Sequence, residues 1–294
     1  MTKTSLALAA GIVSLAVNLH AELPVGSHYA AGIEGLNSAS LPPPGFYVRD
    51  YNYFYYADKV NGLSQSVDFF AYVNAVKLVY LTDYKILGAN WGVDTILPFA
   101  YKNIYGQLGT SGQFSLGDIY ACPLLLSWHL KQFDYSFAYG IWAPSGNYSA
   151  SSPAKYLTSP GNGYWTHMIT LGGVWHPDEE KTWSLSLLNR YEINTEQWDT
   201  HITPGNMFTT DFSLSKAVLK GVDVGVSGYY QQLVTRDSGP KASSDYSSVV
   251  GIGPEVVAYC DKLGLFTSLR YAYQVEAKDR PQGQTIVLTF TKGF

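Results

Sequence analysis

The sequence predicts an all-β chain. It reads as a transmembrane antiparallel up-and-down β-barrel of about 12 strands, preceded by an N-terminal segment that is not strand-like. Three observations carry this: the alternation of the last residues, the balance of composition, and the spacing and lengths of the connections.

From Gln284 to Phe294 the two parities differ in chemistry. Ile286, Leu288, Phe290 and Phe294 form one row; Thr285, Val287, Thr289, Thr291 and Gly293 form the other. A strand has a side-chain period of two, so one face is apolar and the other small and mostly polar. The apolar face at the end of the chain needs an apolar solvent, which is read as the lipid bilayer.

Charged residues are 14% of the 294, with 24 Tyr and 7 Trp. Average soluble chains are roughly 25% charged. Mean hydropathy is nevertheless −0.04, which does not suit a helical membrane protein. A barrel wall, half facing lipid and half facing water with aromatic girdles, has this balance. The net charge of −4 argues against nucleic acid, which would call for a basic stripe.

The order along the chain follows. Residues 1–21 read as a signal peptide: Lys3, an apolar run from Ser5 to Val17, and Ala21 as the residue cut after. Residues 22–44 are rich in Gly, Ala, Ser and Pro and end on Pro42–Pro43–Pro44, a stop before the first strand. This segment is a candidate plug for the lumen; a loose periplasmic lead is the other reading.

Residues 45–294 are the barrel. Gly45–Ala57 is the first strand, with Tyr47, Tyr51, Tyr53 and Tyr55 on one face and Arg49 read as reaching the interface. Then come Phe69–Thr82, Asn90–Tyr101, Gly117–Trp128 (weakened by Pro123), Phe133–Ala143, Tyr164–His176 and Trp183–Ile193. Met207–Ala217, Val222–Gln232, Ser248–Cys260, Gly264–Tyr273 and the terminal strand complete it. Each alternates with a hairpin-like spacing, the fourth poorly.

The connections differ by parity. Those at 58–68, 102–116, 144–163, 194–206, 233–247 and 274–283 are each longer than those at 83–89, 130–132, 177–182, 218–221 and 261–263. Barrels of this kind have short turns on the periplasmic side and long loops outside. The longest, 144–163, is expected to fold over the mouth.

Asp94, Asp134, Asp211, Asp223, Glu192, Glu255, Arg190 and Arg270 fall on predicted lumen faces. They read either as a polar lining that sets selectivity or as acids and arginines neutralising one another. The acidic excess favours cations or neutral solutes. Trp142 and Tyr229, also predicted inward, are an aromatic slot or plain filling, and Phe266 is expected to narrow the lumen. Cys122 and Cys260 lie far apart and are read as free thiols. No cofactor or metal motif is present. His167 points outward with Ile169 two residues on, which leaves no Ser–His pairing for a lipase-like barrel, and the chain is read as non-enzymatic.

Two stretches add a resemblance. HYAAGIEGLNSASLPPPGFYVRDYNYFYYADK, from His28 to Lys59, and NAVKLVYLTDYKILGANWGVDTILP, from Asn74 to Pro98, resemble the outer-membrane transporter family of the meta-pathway of phenol degradation. The likeness runs over essentially the whole chain after the signal, with these two segments distinctive. It implies a bacterial outer-membrane channel that passes small hydrophobic or aromatic molecules by passive diffusion, with no catalytic motif to carry over. The terminal Phe294 is similar to the endings that the outer-membrane assembly machinery reads, which implies that machinery as a partner. A structural or adhesive barrel with a blocked lumen is the alternative.

Overall fold

The computed structural model describes residues 26–61, 67–106, 110–240 and 242–294. The signal-peptide reading of 1–21 lies outside them, as do 22–25 and parts of three outer connections.

Thirteen strands form one antiparallel sheet: β1 (Gly45–Val60), β2 (Val67–Ile86), β3 (Ala89–Gly106), β4 (Ser111–Leu116), β5 (Ile119–His129), β6 (Phe133–Ala143), β7 (Thr166–Trp175), β8 (Trp183–Asn194), β9 (Met207–Leu219), β10 (Val222–Leu233), β11 (Ser248–Cys260), β12 (Leu265–Lys278) and β13 (Pro281–Gly293). Consecutive strands pair around the wall, and β1 closes it against β13, Tyr51 opposite Thr289. β4 and β5 both pair with β3, through Phe99–Ile104 and Asn90–Ile96 respectively. They are two halves of one barrel strand, so the closed barrel has twelve staves. Closure leaves no edge, which a sheet in lipid requires.

The break in that strand sits at Gly117–Asp118. Gly117 N–H donates to the Pro98 carbonyl at 2.8 Å. The Asp118 carboxylate leaves the ladder to accept from Gly146 N and Asn162 N, both at 2.8 Å. Pro123 is tolerated because it falls within irregularities on both sides, between Ala121 and Leu124 and between Gly92 and Asp94.

Alternation sets the faces. Leu171, Leu187, Leu269 and Ile286 are exposed on the outer wall, while Thr170, Ser186, Arg270 and Thr285 beside them are buried. An exposed apolar band of this extent, on a closed barrel with a polar interior, faces lipid. The barrel belongs in the bacterial outer membrane. Asp50 is an exception on the outer wall. Its carboxylate accepts from Asn74 Nδ2 at 2.6 Å and Asn52 Nδ2 at 3.0 Å, so amide donors in the plane of the wall satisfy it.

Several boundaries differ from the sequence expectation. β2 and β3 run on to the turn at Leu87–Gly88, both in the left-handed region (φ 52° and 81°), as a tight hairpin requires. Connection 102–116 is mostly a ribbon of β3 and β4, and 274–283 shrinks to Asp279–Arg280. The strict length rule therefore fails, since 176–182 is longer than 107–110. The asymmetry survives in 144–165, 195–206 and 234–247. Strands continue past the bilayer, and nothing in the alternation marks where lipid stops.

The connection 144–165 carries the helix α1 (Pro153–Thr158), capped by Ser152, whose Oγ accepts from Lys155 N. It closes over one end of the barrel and contacts β3 and β4. An epitope inserted at exposed Ser151 is expected to be labelled by antibody on intact cells. Labelling only after lysis would invert the orientation. At the opposite end, Asp178 holds the 176–182 turn. Hydrogen bonds from the Thr182 hydroxyl, Trp183 N and Thr182 N keep its carboxyl down to about 2. Cys122 is buried on β5 and Cys260 exposed on β11, both free.

Candidate functional site

The barrel interior is occupied by the chain's own residues 26–44. This segment is built from small residues because it must approach the wall closely. A Cβ on Gly32 would overlap the Tyr229 ring, and one on Gly35 would overlap Arg270 and Glu255. Gly32 and Asn37 take left-handed backbone (φ 77° and 57°), which these two residue types accept most readily. Two tight turns result, with Ile33 N donating to Ala30 O and Ser40 N to Asn37 O.

Most charged residues that parity places inward hold this segment. Glu192 accepts from His28 N at 3.1 Å, Tyr29 N at 3.2 Å and the Ser27 hydroxyl. Asp211 accepts from the Tyr29 hydroxyl at 2.6 Å and Gly32 N at 3.1 Å, and pairs with Arg190 Nη1 at 2.7 Å. The Arg190 guanidinium also lies over the Tyr29 ring, 3.9 Å from its centroid. Glu255 accepts from Leu36 N at 2.9 Å and pairs with Arg270 Nη1 at 3.3 Å; Arg270 Nη2 donates to Ile33 O at 2.6 Å. Asp134 accepts from the Ser40 hydroxyl at 2.7 Å, with His129 and His176 beside it.

Asp211 and Glu255 are thus paired with Arg190 and Arg270, and Glu192, Asp211 and Glu255 also satisfy backbone N–H groups of the inner segment, which otherwise would be buried without partners. Four of the six acids read from the sequence as lining the lumen are consumed in this way. Glu192, Asp211, Glu255 and Asp134 therefore do not face a free passage, while Asp94, at the wall of the remaining space, is paired with Lys77.

The segment does not fill the lumen evenly. It binds the β8–β12 side and leaves a cavity of about 270 Å³ towards β1–β3 and β5–β7. The cavity walls are largely apolar: Val73, Ala75, Val79, Ile96, Ala100, Leu125 and Met168, with the rings of Tyr47, Tyr120 and Trp142. Trp142 lies 4.9 Å from the Tyr120 ring and stacks on His28 at 5.6 Å, yet its Nε1–H has no hydrogen-bond partner. At mid-height a polar knot crosses the wall. Glu34 of the inner segment meets Arg49 Nη1 at 3.0 Å, Arg190 Nη2 at 3.7 Å and Lys77 Nζ at 4.0 Å, while Lys77 reaches Asp94 at 3.6 Å.

Of the residues singled out from sequence, Asp94, Trp142 and Arg190 line this cavity. Asp134, Glu192, Asp211, Glu255 and Arg270 are buried against the inner segment. Tyr229 does not line it. Its ring is 1% exposed behind Gly32, with its hydroxyl accepting from Gln274 Nε2 at 3.0 Å. Asp223 and Phe266 have inward parity but sit at the end of the barrel that carries the short turns after β9 and β11 and are not buried; Phe266 packs on Tyr259 there. Arg49 points inward to Glu34 rather than to the membrane interface. Sequence reasoning missed Lys77, Arg49, Glu34 and Tyr29. Parity alone carries Lys77: a lysine amid apolar residues mid-strand has to face the interior.

No group of three or more His, Cys, Asp or Glu side chains among the described residues is placed to hold a metal ion.

The family described as Putative MetA-pathway of phenol degradation matches residues 56–290. The fold is similar to the COG4313 outer membrane channel from Pseudomonas putida F1, with a TM-score of 0.73 at 11% identity, covering 88% of this chain and 98% of that one. It is less similar to the translocator domain of autotransporter NalP from Neisseria meningitidis (TM-score 0.52, 10% identity, 86% and 90% covered). The beta domain of the Bordetella autotransporter BrkA is comparable (0.51, 11%, 85% and 99%). No curated protein sequence matches the chain.

Proposed function

Because the chain belongs to the family of the MetA pathway of phenol degradation, matched over residues 56–290, we propose that it is an outer-membrane channel for small hydrophobic or aromatic molecules, which cross by passive diffusion. One observation carries the substrate class: the space left beside the inner segment is lined mostly by apolar and aromatic side chains. Such a wall receives a ring without demanding hydrogen bonds, and an apolar pocket with few polar groups is the usual form of a small-molecule site. Residues 26–44 act as a plug that denies passage to water-filled traffic. The reading asks for no catalytic group. The terminal Phe294, whose N–H donates to Phe46 O at the β1–β13 seam, is the feature offered to the assembly machinery.

The test is solute uptake in vesicles carrying the full-length protein. Phenol-sized neutral aromatics are expected to enter faster than in protein-free vesicles, and disaccharides are expected to be excluded. Disaccharide entry at the rate of a general porin would overturn the reading. No entry of any aromatic solute would favour a structural barrel with a blocked lumen.

A further inference from the structure

The outer mouth has a chemistry different from the cavity below it. A second space of about 150 Å³ lies between the start of the inner segment, the 144–165 connection and the Asp279–Arg280 turn. Its wall includes two cations, Lys102 and Arg280, and no carboxylate. Lys102 Nζ donates to the Ser159 carbonyl at 2.8 Å, and Arg280 Nη1 donates to Gln231 Oε1 at 2.9 Å. Among the described residues neither is in an ion pair.

Two of the nearby acids are already engaged. Asp118 is held by His28 Nε2, Gly146 N and Asn162 N, each at 2.8 Å. Asp237 accepts from Gly205 N at 2.7 Å. The Tyr148 hydroxyl, on the same wall, is buried without a hydrogen-bond partner. Two half-buried cations bonded only to neutral oxygens are under-compensated, because a charge withdrawn from water calls for a counter-charge. An anion supplies it, and a carboxylate accepts from ammonium, guanidinium and phenol together.

The mouth opens into the apolar cavity. Ser27, Lys102 and Asn162 line both spaces. A solute that is anionic at one end and apolar over the rest satisfies both in sequence; further along the path Arg49 and Lys77 are already paired with Glu34 and Asp94, so the capture is confined to the mouth. Resting on the channel reading above, we propose that the outer mouth is a capture site for organic monocarboxylates with a small apolar body, and that this class is what the channel selects.

The experiment compares benzoate, its neutral counterpart benzamide, and the cation benzylamine in vesicles carrying the full-length protein, each corrected for protein-free vesicles. Benzoate is expected to enter about tenfold faster than benzamide, the order that two partly solvated charge contacts give, and benzylamine more slowly than either. Lys102→Gln with Arg280→Gln is expected to erase the preference, so that the ratio of benzoate to benzamide entry falls to about one. Lys102→Arg, which keeps the charge, is expected to retain it. Should the double variant fail to fold, the order of the three solutes on the unaltered protein decides by itself. Equal entry of benzoate and benzamide, faster benzylamine, or a preference that survives the double substitution overturns the capture site and leaves the channel. Entry of none of the three overturns the channel reading as well.

Discussion

Deleting residues 28–41 is expected to raise single-channel ion conductance in planar bilayers by about tenfold, since a barrel of twelve strands is wider than the side-chain-filled eight-stranded type. The deletion removes the whole run that Glu192, Asp211, Glu255 and Asp134 hold, including Glu34 in the mid-height knot. Water then replaces the segment's backbone as partner of these acids, and the lumen becomes an aqueous path with paired charges on its wall. The strands keep their ladders, because the segment contributes no rung to the sheet. Conductance unchanged from the intact protein, in a deletion that still folds, would mean that the 144–165 connection and not the inner segment is the obstruction.

The second large effect is on the lipid face. Leu288 lies mid-strand on the outward row of β13, opposite Asn52 and Leu269. Leu288→Arg is expected to lower folding stability in lipid by ~2–4 kcal/mol, the range for a cation near the bilayer midplane. Val224 on β10, outward and exposed, lies near the start of its strand beside Asp223 and is expected to show the smaller penalty of a site close to the interface. Thr289, the inward neighbour of Leu288 and buried against the interior, is expected to accept Asn at far smaller cost. Gly225, the inward neighbour of Val224, is not a usable control: a Cβ there would strike the Leu214 carbonyl and Leu36. Urea-titrated folding into vesicles measures the difference, and equal damage at positions 288 and 289 would reject the assigned faces.

The wall was legible in the sequence because a period of two is all that it needs. Once Ile286, Leu288 and Phe290 are placed outward, every residue of the opposite parity is fixed inward, and Trp142, Glu192 and Arg270 follow by the same rule on their own strands. What the interior residues touch was not legible. Glu34, Arg49, Lys77 and Arg190 come from the inner segment, β1, β2 and β8, and only the closed barrel makes them one knot. Arg49 was misread for that reason: without the inner segment in place, an arginine near a strand start has no visible partner except the interface. The ends of the staves were also hidden. Alternation continues through Lys102 and Phe114 as it does at mid-membrane, so a ribbon beyond the bilayer looks like a loop only when lipid thickness is assumed.

Under the proposed function, solutes pass through the apolar space beside the inner segment. Ala100, on β3, lines that space and carries almost no side chain into it. Ala100→Trp fills the space without touching the clamps on the β8–β12 side. Uptake of a neutral aromatic solute in vesicles carrying this variant is the most direct measurement. Uptake is expected to fall to the level of protein-free vesicles while the barrel folds and inserts normally. Uptake equal to that of the unaltered protein would show that the path lies elsewhere.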